Sequence, residues 1–312
     1  MTVEPRPPPA SWVREVAAAI RGECIPDAPM APRTSIRVGG PADLLVRPED
    51  RSTLPGMLAA CACRGVPVLF LGGGANLLVA DAGIRGVVAR LPAEGDEEAD
   101  GDRLVLAAGA PVSRLAQRAL ASGLVGCEFA AGIPGTLGGA VAMNAGTRIG
   151  EMKDVVERVE VATSEGLRWI PAPELGFAYR TCRLPPGAVV TRVGFRLRPG
   201  DVERSRAAME ADREHRRRTQ PLTWPTWGST FRNPPGDHAG RLVEAVGLKG
   251  HRIGNAMWSD LHANFVVNLG GATARDCLAL IRLARERVRE RIGVELELEV
   301  RLAGAFAADE HP

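Results

Sequence analysis

Lysine is almost absent from this 312-residue chain: Lys153 and Lys249 are the only two among 39 basic residues, and Tyr179 is the only tyrosine. A coding bias towards arginine is the plain explanation. Under such a bias, a position that has stayed lysine or tyrosine is a candidate for chemistry the usual replacement could not supply. The six cysteines (24, 61, 63, 127, 182 and 277) form no Cys-x-x-Cys, and the five histidines form no His-Glu-x-x-His or other paired ligand spacing. No metal is therefore expected, and the thiols read as reduced and mostly buried. No segment approaches ~20 consecutive apolar residues, and the Pro- and acid-containing first 23 residues lack a signal peptide's apolar stretch. A cytoplasmic protein without membrane insertion is expected.

What is present is ordinary for a folded protein. Hydrophobic residues make up 45% and charged residues 24%, which excludes a disordered or fibrous chain, and the length corresponds to about two domains. A formal charge of +2 argues against a dedicated nucleic-acid binder but leaves small anionic ligands open.

Residues 1–33 read as an N-terminal appendage carrying a short amphipathic helix on Trp12, Val13, Val16 and Ile20. Short apolar runs ending in glycine follow, at 36–38, 44–46, 66–71 and 86–90, with a helix at 54–63 between them: an α/β pattern. The acidic stretch 94–102 reads as an exposed loop or subdomain boundary. A second block has strands at 104–107, 155–162, 167–170 and 189–197 and a helix at 112–122. After a charged helix at 201–218, a third part carries a strand at 264–268 and a helix opened by the capping-box-like Thr273-Ala-Arg-Asp276 and closed at Gly293. The expected division is 34–204, with subdomains of about 34–96 and 97–204, and then 205–312.

Five places can carry chemistry. Gly72, Gly73 and Gly74, followed by Ala75 and Asn76, come after an apolar strand and could present backbone amides to an anion; a tight structural turn explains them equally well. The segment from Gly126 to Gly146 holds glycines 132, 135, 138 and 139, too many for a stable helix or strand interior, and suits wrapping around an extended ligand. Two such loops suggest a dinucleotide between them. Tyr179-Arg180 contains the lone tyrosine, with chance placement as the alternative. Gly228-Ser229-Thr-Phe-Arg-Asn233-Pro offers a serine on a proline-bounded loop, without the Gly-x-Ser-x-Gly of a hydrolase. Finally, 294–302 alternates, placing Glu299 and Arg301 on one face roughly 7 Å apart. A solvated outer face is the ordinary explanation there, as the polar end of a helix is for Arg216, Arg217 and Arg218.

Taken together and in order, from Thr34-Ser-Ile-Arg-Val-Gly-Gly-Pro-Ala-Asp43 through Gly-Ile-Pro-Gly-Thr, Tyr-Arg and Gly-Ser-x-Phe-x-Asn-Pro to Glu299-Val-Arg301, the segments resemble the UDP-N-acetylenolpyruvoylglucosamine reductase family, in its shorter second type. The resemblance implies an α+β fold: a two-subdomain FAD-binding region of the vanillyl-alcohol-oxidase (PCMH) type, then a smaller α+β substrate-binding domain. It implies non-covalent FAD held by Gly72, Gly73, Gly74, Ala75 and Asn76 and by Gly132, Ile133, Pro134, Gly135, Thr136, Gly138, Gly139 and Ala140. NADPH would reduce the flavin, and flavin N5 would return the hydride to an enolpyruvyl ether on a nucleotide sugar in peptidoglycan synthesis. Arg180 and Glu299 match the residues that stabilise the resulting carbanion or enolate, and Ser229 matches the proton donor. Tyr179, Asn233, Lys249 and Arg301 match substrate contacts. A monomer with a small-molecule substrate and no nucleic-acid partner is expected.

The sequence departs from the family pattern at Ala75 and Cys182, where serine is common, and over 255–262. Two rivals are another FAD-dependent oxidoreductase on the same scaffold and a non-catalytic nucleotide-sugar-binding regulator. The first leaves Gly-Ser-x-Phe-x-Asn-Pro with Glu-Val-Arg unexplained, and the second leaves unexplained the joint presence of Arg180, Ser229 and Glu299.

Overall fold

The structure is a computed structural model that describes residues 12–95 and 97–306. Its first unit is a four-stranded sheet in the order Gly22–Pro29, Pro41–Pro48, Ile84–Ala89, Val68–Phe70. The last three are parallel, and the first is antiparallel to Pro41–Pro48. The helices Trp12–Ala18 and Leu54–Ala62 cover it through Val16, Leu54 and Met57, all fully buried. Residues from the expected appendage thus supply an edge strand of this sheet; residues 1–11 lie outside the described ones. The run 36–38, expected as a strand, is instead a turn held by the Thr34 hydroxyl, which donates to the Val38 carbonyl and accepts the Val38 amide.

The second unit is an antiparallel five-stranded sheet, in the order Gly166–Pro171, Val156–Thr163, Val189–Arg196, Arg103–Ala107, Glu98–Asp100. Within the acidic stretch expected as a loop, Glu98–Asp100 is this sheet's exposed edge strand; charge on an edge suits it to face water. The helices Val112–Ala121 and Leu137–Ala142 pack beneath, around Leu106, Leu115, Phe129, Val159 and Phe195. Leu137–Ala142 corrects the expectation that its glycines exclude a helix. Thr136 caps it, Leu137 and Val141 are fully buried, and a side chain at Gly138 would crowd Ala108. Tertiary packing overrides propensity here. The buried Glu160 joins the two sheets, taking Arg51 from the first unit at 2.9 Å and Arg192 at 2.8 Å. Burial opposes its ionisation, but hydrogen bonds from Arg192 and Thr191, with the charges of Arg192 and Arg51, outweigh it and hold the carboxyl below its ordinary pKa.

The helix Val202–Thr219 runs across the boundary expected near 204 and leads to a four-stranded sheet ordered Thr226–Ser229, Phe265–Asn268, Ala256–Trp258, Arg252–Ile253. The helices Ala239–Ala245 and Ala274–Ile292 complete this third unit; the second opens on the reciprocal Thr273–Asp276 capping box and ends at Gly293 with φ 78°. Its core of Trp227, Phe231, Trp258, Leu278 and Ile281 is continuous with Ile36, Val38 and Leu78 of the first unit. The polypeptide then returns, and Arg301–Ala303 pairs in parallel with Leu77–Val79. The C-terminal strand therefore lies beside the first glycine loop.

Candidate active site

Both glycine loops meet at their backbones. A side chain on Gly73 would lie 2.6 Å from the Gly135 Cα, and one on Gly72 would lie 2.5 Å from the Thr136 Oγ1. Gly74 (φ 64°) packs against the Arg33 carbonyl, and its own oxygen accepts both the amide and the hydroxyl of Ser35. Among the described residues, the amides of Gly72, Gly73, Gly74, Ala75, Asn76, Gly135 and Thr136 donate to no protein acceptor. Converging free amides form a cradle for an anionic group such as a diphosphate, so the residues present fit a dinucleotide cofactor. The helix-borne part of the second loop is used differently: the Gly138 amide donates to the Ala108 carbonyl, and the Gly139 amide to the Thr136 hydroxyl. Gly73→Ala is expected to spread the two loops and give protein purified largely without flavin, read from the ratio of flavin to protein absorbance.

Next to this cradle the C-terminal segment is clamped from two sides. The Asn76 side chain donates to the Glu299 carbonyl at 3.0 Å, and the Arg301 amide donates to the Asn76 carbonyl at 3.2 Å. On the other side, the Glu299 amide donates to the Thr230 carbonyl at 2.9 Å. Thr230 follows Ser229, which ends its strand beyond a bulge. Thr226 pairs with Val267 and Ser229 with Phe265, three steps against two, and the extra residue is accommodated at Gly228, φ 90°. A bulge re-aims the side chain that follows it, and the Ser229 hydroxyl makes no protein hydrogen bond among the described residues.

Arg180 completes the arrangement. Ala178 and Thr181 exchange backbone hydrogen bonds at 3.1 Å, closing a turn whose tip is Tyr179-Arg180, with Arg180 at φ 55°. Its Nε donates to the Glu299 Oε1 at 3.0 Å, and its Nη2 to the Gly146 carbonyl at 3.3 Å. The two side chains are only 21% and 16% exposed, so Glu299 is not on a solvated face. Burial pushes its carboxyl above the ordinary pKa, against the opposing charge and hydrogen bond of Arg180 and the charge of Arg232.

The remaining expected contacts are more dispersed. Tyr179 is half exposed beneath the Arg180 guanidinium. The Asn233 Oδ1 accepts the Ala239 amide at the start of its helix, Lys249 pairs with Glu244 at 3.0 Å, and Arg301 is exposed. Of the three consecutive arginines, Arg217 and Arg218 are exposed and face Glu214, whereas Arg216 turns inward against Gly132. Two residues gave no signal in the sequence. Asn264 brackets the serine strand through the Phe231 amide and carbonyl, and Asn144 holds the Arg180 turn.

Residues 42–169, which contain both glycine loops, match the family model of an FAD binding domain, and the fold and site together define an FAD-dependent oxidoreductase. Residues 220–303 match the model of the UDP-N-acetylenolpyruvoylglucosamine reductase C-terminal domain. A UDP-N-acetylenolpyruvoylglucosamine reductase of Anaeromyxobacter sp. (strain Fw109-5) is 68% identical over 97% of this chain and 96% of its own length. That of Myxococcus xanthus (strain DK1622) is 53% identical over 89% and 91%. The crystal structure of the Thermus caldophilus reductase superposes with a TM-score of 0.77 at 40% identity, covering 91% of this chain and 99% of that one. The chain belongs to the UDP-N-acetylenolpyruvoylglucosamine reductase family.

Proposed function

We propose that this protein reduces the enolpyruvyl ether of UDP-N-acetylglucosamine enolpyruvate to UDP-N-acetylmuramate, with NADPH as the hydride source, in peptidoglycan synthesis in the cytoplasm and as a monomer. FAD, when bound, would supply the hydride chemistry, taking a hydride from NADPH and making it available to the terminal methylene carbon of the enolpyruvyl group. The free amides of residues 72–76, Gly135 and Thr136 would hold its diphosphate.

The protein's own task is the charge left on the neighbouring carbon, the one bonded to the carboxylate. Arg180 is a permanent cation in a half-dry setting and stabilises the developing enolate where it forms. Glu299, with its proton affinity raised by burial, donates a hydrogen bond as a neutral acid; ionised, it would oppose the enolate. The Ser229 Oγ gives its proton to the same carbon. Tyr179, Asn233, Lys249 and Arg301 contact the nucleotide sugar.

The observation that carries this reading is the convergence of three distant segments. Glu299 is held by Asn76 of the first glycine loop, by Thr230 beside Ser229, and by Arg180. Flavin-loaded protein reduced anaerobically by NADPH is expected to reoxidise promptly on addition of UDP-N-acetylglucosamine enolpyruvate. Flavin that stays reduced would sink the proposal.

A further inference from the structure

Asn144 is fully buried, yet its backbone lies in the left-handed region at φ 42°. Its Nδ2 donates to the Glu151 Oε2 and to the Ala178 carbonyl, each at 3.0 Å, and its Oδ1 accepts the Lys153 amide at 2.9 Å. Both amide protons and the oxygen are thus engaged. Ala178 opens the turn that carries Arg180, and Gly146, two residues beyond Asn144, accepts the Arg180 Nη2. Two non-glycine residues in left-handed conformations, Asn144 and Arg180, are joined through this one side chain. Such conformations persist only where the surroundings over-determine them.

We propose that Asn144 is a positioning residue for Arg180: it holds the Ala178 carbonyl directly and the Gly146 carbonyl through two residues of backbone, and so aims the guanidinium at Glu299. The choice of residue type follows from the bonds. Glycine would permit the backbone but would not hold the Ala178 carbonyl. Aspartate would still accept from Lys153 but would set an oxygen against the Ala178 carbonyl and the Glu151 carboxylate. The inference rests on the roles proposed above for Arg180 and Glu299, and adds the residue that makes their pairing possible.

The test is a pH titration of flavin-loaded protein followed by the infrared stretch of the protonated carboxyl, with Glu299→Gln identifying the Glu299 band. Glu299 faces Arg180 from the turn and Arg232 from the serine segment, and has Glu297 and Arg301 on its own segment. A cation at this range lowers a carboxyl pKa by about 1 to 3 units. Asn144→Gly is therefore expected to move the Glu299 titration upward by about 1 unit, to slow reoxidation by substrate about 10-fold or more, and to leave the KM for NADPH unchanged.

Glu151→Ala removes the other acceptor of the same amide and leaves the bond to Ala178, so the titration is expected to stay in place. An unmoved titration in folded Asn144→Gly overturns the inference. An equal shift in Glu151→Ala also overturns it, because the cause would then be the loop as a whole. Should Asn144→Gly not fold, Asn144→Asp carries the same expectation, and failure of both to fold assigns Asn144 to the fold and overturns it as well. If Glu299→Gln removes no titrating band, the reading of Glu299 itself falls, which is a separate result.

Discussion

Replacing Ser229 by alanine is expected to slow reoxidation of the reduced flavin by the enolpyruvyl substrate by about 10² to 10⁴-fold, the usual contribution of a positioned proton donor. Reduction by NADPH should remain nearly unchanged. The asymmetry follows from the role proposed for the serine, which would give its proton only after the hydride has reached the substrate. A serine hydroxyl is a weak acid in water, so its value lies in placement, and the structure supplies the means. The bulge at Gly228 re-aims the side chain, and the Thr230 carbonyl next to it anchors Glu299 and Val300. Asn264 fixes Phe231 one residue further on through 2.9 and 2.8 Å bonds. Rapid-mixing measurements of the two half-reactions separate the outcomes. Equal loss in both would mean that flavin or fold has been damaged, whereas reoxidation left unslowed would mean that the proton comes from another group.

How much of this could be read in the sequence depends on the range of the interactions involved. The helix Ala274–Ile292 was legible because its stripe of Cys277, Leu278, Ile281, Ala284 and Val288, its capping box and its terminal glycine are all local. The edge strand Gly22–Pro29 was not: it contains two prolines, and it is held by backbone pairing on one side only, so its side chains do not alternate. Three-residue strands such as Ala256–Trp258 are too short to show a period. The site divides in the same way. The two loops could be recognised as loops from their glycines, but nothing local shows that Gly73 touches Gly135. Glu299 alternated like any outer-face residue, and the partner that removes it from solvent lies 119 residues away. Asn144, inside a run of glycines and alanines, reads only as part of the segment suited to wrapping around a ligand. A resemblance across the ordered motifs named Arg180, Ser229 and Glu299, but the clamps that hold them required coordinates.

The Arg180–Glu299 pair yields the second large effect. Arg180→Ala is expected to reduce the rate of reoxidation by about 10² to 10³-fold, the range for losing one preorganised electrostatic contact to developing charge. Arg180→Lys should recover little of it. A single ammonium cannot reproduce the planar fork that spans the Glu299 carboxyl and the Gly146 carbonyl. If the paired side chains act as the unit proposed, Glu299→Gln in the Arg180→Ala background should cost much less than it does alone, and strict additivity would show that they work independently. The pH dependence fixes the sign of Glu299's part. Its carboxyl is raised by burial and only partly drawn back by Arg180, so the neutral acid survives above the ordinary carboxyl range. Reoxidation by wild-type protein should then fall as pH rises through that raised value, and Glu299→Gln should lack this limb. Stability follows the same direction. The folded protein holds the Glu299 proton more tightly than the unfolded chain does, so this contribution is complete below the unfolded carboxyl pKa and is lost as pH climbs through the folded one. Glu299→Gln should lack this component over that window in thermal unfolding. A wild-type reoxidation rate that instead rises across it would show that the ionised carboxylate is the working form.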